Sequence, residues 1–132
     1  MTTNRVYRMT PPGTAVVDIP SKGDPRPLRH VPYHSQGFSW GYGGSGPADL
    51  ALSILCDHFG ELRHQTPVWY GTRAHWLARV EKTKAWPLHQ RFKWEIVANR
   101  PQHRPWTLTH DQIVEWLRTL MRERAERGVP VP

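Results

Sequence analysis

Only one cysteine, Cys56, stands among the 132 residues, so no internal disulfide can form and no thiolate cage can hold a metal. Such sparing use fits a reducing compartment. No apolar run approaches the roughly 18 residues that a membrane span requires, and the opening MTTNRVYRM has no signal-type apolar stretch. The sequence therefore reads as soluble and cytoplasmic. Acidic residues are scarce: 11 Asp and Glu face 18 Lys and Arg, a formal charge of +7. That balance suits an anionic partner. A nucleotide-binding signature is also missing, because GYGGSGPA lacks the lysine of a G-x-x-x-x-G-K-S/T loop and does not read as G-x-G-x-x-G in a βαβ frame. With no catalytic motif in sight, neither an enzymatic activity nor a cofactor is expected.

What is present suits one small domain. Aliphatic, aromatic and Cys residues make up 38% of the chain and charged residues 22%, as in ordinary soluble folds. Arg5 to Met9 and Ala15 to Ile19 are short β-branched or aromatic runs separated by TPPG, which predicts a hairpin. From Pro20 to Pro32 the prolines and charges predict an extended connection without helix, with a short strand around Leu28 to Val31.

Next comes the glycine-rich GFSWGYGGSGPADLAL of residues 37–52. Ser45 suits an N-cap, Pro47 a first turn and Gly60 the position after a C-terminus, so a helix is predicted over 46–59. Ala48, Leu52, Leu55 and Phe59 form its apolar face, while Asp49, Ser53 and Asp57 form one narrow polar stripe. A second helix is expected in GTRAHWLARVEKTKAW, with Trp76, Leu77 and Val80 inward, His75, Arg79 and Lys82 outward, and Pro87 as its stop. RFKWEIVA alternates Phe92, Trp94 and Ile96 against Lys93, Glu95 and Val97, which predicts a strand. The last helix is specified locally. Thr109 and Gln112 spell a capping box and Leu108 and Ile113 a hydrophobic staple, so it should start at His110, bury Ile113, Trp116, Leu117, Leu120 and Met121, and end at Gly128. The expected class is α+β, an antiparallel sheet of the N-terminal hairpin plus a later strand, packed against two or three helices.

The stretch HSQGFSWGYGGSGPADLALSIL, with FKWEIVA and WTLTHDQIVEWL after it, resembles an uncharacterised domain family of bacterial, plasmid and phage proteins. That family carries an H-S-x-x-G-F-x-W-G-Y-G-G-S-G-P-A core, which His34 to Ala48 nearly repeats. The resemblance implies a shared fold and a mobile-element origin, and no activity.

Glycines directly before a helix expose amides along the helix dipole, which makes Gly43, Gly44, Ser45 and Gly46 candidates for an anion site. The alternative is packing: the glycines let Trp40 and Tyr42 fold back onto the core. The eight histidines do not spell a zinc site, since neither Asp57, His58 and His64 nor His30 and His34 have a ligand spacing. His34 and adjacent Ser35 would point to opposite faces of a strand, so no base and nucleophile is assigned there. Trp76, Trp94 and Trp116 fall on apolar stripes and read as core, whereas Trp40, Trp69 and Trp86 do not. Three function classes follow. One is a nucleic-acid accessory protein using Arg73, Arg79, Lys82, Arg118 and Arg122, with Trp69 and Trp86 as stacking or partner anchors. Another is a protein-binding modulator, such as an anti-CRISPR-like anti-defence factor, whose mobile-element link comes from the resemblance. The third is a nucleotide or anion binder at the glycine-rich loop.

Overall fold

The computed structural model describes residues 4–65 and 73–128. Two strands, β1 (Val6–Thr10) and β2 (Thr14–Asp18), form the predicted hairpin across the TPPG turn. One turn of 3-10 helix follows at Pro20–Lys22, where an extended chain was expected, because Pro20 supplies a helical φ at the first position. The predicted strand at 28–31 is displaced to β3 (Arg26–Pro27), only two residues long. Then come α1 (Ser45–Phe59), α2 (Arg73–Glu81), α3 (Trp86–Phe92), β4 (Trp106–Thr109) and α4 (His110–Glu126). The sheet is antiparallel throughout with the order β3-β2-β1-β4, and the class is α+β.

Register explains which side of the sheet is wet. Tyr7 stands between Val17 and Leu108, and Met9 between Ala15 and Trp106; all six are buried. Arg8, Val16 and Thr107 line up on the other face, where Arg8 and Thr107 are exposed. The inward row meets α1, whose residues 47–56 are all buried, so this helix runs through the middle of the core. Gly60 closes it in the left-handed conformation, φ 70°, as the sequence predicts. Its start differs from expectation: Gly44 is the N-cap, Ser45 is already helical, and no side chain caps the first turn.

The predicted strand at 92–97 is helical. Pro87 sits in the first turn of α3 and starts that helix instead of stopping the one before. α3 then continues into a π-turn at Lys93–Val97, with Ala98 N–H donating to Lys93 O at 2.8 Å. Leu88, His89, Phe92 and Val97 are buried at helical spacing, and Trp94 points outward with 58% exposure. The alternation of aromatic and charged residues was coincidental; the strand that completes the sheet is β4. Thr109 makes the predicted capping box with Gln112, and α4 starts at His110, but Met121 is exposed rather than on its buried face. Among the described residues no helix is long and apolar enough to cross a membrane.

Leu55→Ala should lower stability by about 2–5 kcal/mol, from lost transfer energy plus a cavity, and Thr109→Ala by about 1 kcal/mol from the lost cap. Ser45→Ala should stay within about 0.5 kcal/mol. Urea unfolding measures all three, and a Ser45→Ala loss as large as that of Thr109→Ala would contradict the cap assignment.

Candidate functional site: a basic cleft and a glycine turn at opposite ends of one helix

At the C-terminal end of α1 the last helical turns, the 3-10 turn and the β2–β3 edge enclose a cleft of about 390 Å³. Arg5, Lys22, Arg26, Arg29 and Arg63 line it, against two carboxylates, Asp57 and Glu61. Both acids are engaged. Asp57 accepts from Arg5 Nη1 at 3.1 Å, Tyr7 Oη at 2.7 Å and Arg26 Nη2 at 2.8 Å. Burial first, and then the Asp57 charge, push the Tyr7 phenol far up, so it stays a donor. Glu61 accepts the amides of Lys84 at 2.7 Å and Ala85 at 3.2 Å, which ties the cleft wall to the start of α3. Arg29 is oriented by donating to the Arg63 carbonyl. Among the described residues no carboxylate pairs with Lys22, Arg29 or Arg63. Cys56 lies in the lining, and burial pushes its thiol up to about 12, which makes it inert.

The glycine turn sits at the other end of α1. A Cβ on Gly43 would overlap the Trp94 ring, one on Gly44 the Tyr42 ring, and one on Gly46 the Ser39 hydroxyl. Gly41 alone among these takes a positive φ, 86°, with its amide on Val97 O at 3.2 Å. Trp40 folds into the core as the packing alternative expects, 1% exposed with its indole N–H on Pro101 O at 3.1 Å. Tyr42 instead stays out. The lysine that the loop lacks arrives from the π-turn fifty positions on: Lys93 Nζ donates to Gly43 O at 3.3 Å and lies 4.4 Å from the Trp94 ring centroid. Desolvation lowers its pKa.

The predicted surface residues are dispersed. Arg73, Arg79 and Lys82 belong to α2 and its end, Arg118 and Arg122 to α4, where Arg118 reaches Glu115 at 3.4 Å. Trp86 is half-buried, its ring 4.4 Å from that of Tyr33 and 4.6 Å from that of His89. Trp69 lies outside the described residues. The Trp94 and Trp40 expectations thus exchange places. His30 pairs with Asp49 at 2.7 Å and His34 with His89 at 3.0 Å, and no three potential metal ligands converge among the described residues. Sequence reasoning missed the cleft cations, which are scattered from position 5 to 63. The one available signal was Asp57, third member of the polar stripe on an otherwise buried helix.

Residues 5–69 match the model of a family of unknown function, DUF6166. The matched stretch holds every residue lining the cleft, while Lys93 and Trp94 lie beyond it. No curated protein and no solved structure matches the chain.

Beside the cleft, His58 packs its ring 5.1 Å from that of His110, and its Nδ1 is buried without a partner. Burial first, then His110 and Arg5, push its pKa from 6.5 down to about 4. The unfolded chain therefore takes up this proton before the folded one does. The stability this group supports should be full above pH 6.5 and fall as the pH drops toward 4. His34 and His89, lowered chiefly by desolvation, add to the same trend. Thermal melts across that range should show the decline, and His58→Gln should make it shallower; an unchanged slope in that variant would contradict the assignment.

Proposed function

We propose that the protein is a small, non-enzymatic accessory of mobile-element type that binds nucleic acid through its Lys and Arg surfaces. The cleft at the C-terminal end of α1 is its principal phosphate site. The observation that carries this reading is the set of three cations, Lys22, Arg29 and Arg63, that surround a concave site without a carboxylate partner among the described residues. Arg29 and Arg63 offer planar forks suited to phosphate oxygens, and the two acids nearby are already saturated by other donors. Such contacts hold the backbone and read no bases, so binding is tolerant of sequence. Arg79 and Arg122, exposed on α2 and α4, and Lys82, exposed just after α2, extend the positive surface. The mobile-element part of the reading is supported by the likeness of the His34–Ala48 core to proteins of bacteria, plasmids and phages.

Fluorescence anisotropy on labelled oligonucleotides at several salt concentrations tests the proposal. Affinity should fall steeply with salt, with a log-log slope of about −0.9 for each duplex phosphate neutralised. Combining Arg29→Ala with Arg63→Ala should weaken all sequences alike and flatten that slope by about two units. Arg79→Ala with Lys82→Ala should have the smaller effect. No binding at micromolar protein in low salt sinks the reading.

A further inference from the structure

Three large hydrophobic side chains are exposed among the described residues, and two of them, Tyr42 at 45% and Trp94 at 58%, flank the same glycine turn. Neither ring hangs loose. The Trp94 indole is seated against Gly43 and backed by the Lys93 ammonium, which is itself tied to the Gly43 carbonyl. Tyr42 is seated against Gly44, and its hydroxyl is held by Ser39 Oγ at 2.8 Å. Rings fixed in place while still open to solvent lose little conformational entropy when a flat partner settles on them.

We propose that Trp94 and Tyr42 form a stacking shelf for unpaired nucleobases, so that the protein prefers single-stranded over duplex nucleic acid; this rests on the nucleic-acid reading above. Charge selects this occupant. Residues 37–47 contain no acid. The acid next to Trp94 in sequence, Glu95, is held away by Arg91 Nε at 2.6 Å and Trp116 Nε1 at 2.9 Å. Lys93, buried and with its ammonium 4.4 Å from the Trp94 ring centroid, remains as the charge beside the turn. An aromatic surface backed by a cation and free of acids accepts bases that carry phosphates between them. A duplex keeps its base faces occupied by stacking and gains nothing from the shelf.

The test compares oligo-dT with a hairpin duplex of matched length, by anisotropy at fixed low salt. The parent should favour the single strand. Trp94→Ala and Tyr42→Ala should each weaken oligo-dT binding about tenfold, leave duplex binding within about twofold, and Trp94→Phe should recover most of the loss. Thermal melts check folding; if Trp94→Ala fails to fold, the partly exposed Tyr42→Ala decides. Folded shelf variants that bind oligo-dT like the parent overturn the shelf, leave the cleft reading standing and point those rings toward a protein partner. An equal loss on single strand and duplex also overturns it. A parent that binds neither form sinks the nucleic-acid reading itself, and the shelf with it.

Discussion

The fold depends on one row of polar side chains along a buried helix. The Asp49 carboxylate is fully buried, and a charge there would cost several kcal/mol if uncompensated. It collects the amides of Tyr33 at 3.2 Å, His34 at 2.8 Å and Ser35 at 3.1 Å, together with His30 at 2.7 Å. One turn on, Ser53 Oγ accepts Val31 N–H at 2.9 Å, and a further turn on Asp57 gathers Arg5, Tyr7 and Arg26. The chain from 28 to 44 has almost no regular structure, so the amides of Val31, Tyr33, His34 and Ser35 would lose these partners without this row. α1 thus acts as the missing hydrogen-bonding neighbour of a long connection, and in doing so sets the walls of the cleft.

What was legible in the sequence was local. The hairpin, the extent of α1, the left-handed cap at Gly60 and the Thr109 capping box each depend on residues within a few positions of one another, and each is found. The polar stripe was visible as a pattern, though not its partners. The segment 92–97 was misread because six residues alternating in polarity satisfy a strand pattern, whereas the register that buries Phe92 and Val97 and exposes Trp94 is set by packing on α1. Trp40 and Trp94 exchanged their expected places for the same reason: an indole in a glycine turn can be drawn inward by the backbone carbonyl of Pro101, which no window of neighbouring sequence contains. The cleft was invisible, since its cations come from a strand edge, a turn, a connection and a helix end.

The two candidate regions have different origins in the same helix. At its C-terminal end, acids on α1 and just beyond are consumed in building the wall, and the surplus of cations left over is what gives the cleft its field. At its N-terminal end the glycines let rings and a lysine from the π-turn come close to bare backbone. The π-turn matters here, because it carries both Lys93 and Trp94 to the glycine turn.

The sheet also imposes an order of events. β1 is synthesised well before β4, yet the two pair, Val6 against Thr109. α1, similarly, packs against α3 and the π-turn, which are synthesised later. A nascent chain can therefore close its hairpin early and must then wait for the segments that complete its packing. During that interval α1 stays exposed until α3 and the π-turn emerge, and β1 keeps one edge open until β4 is added.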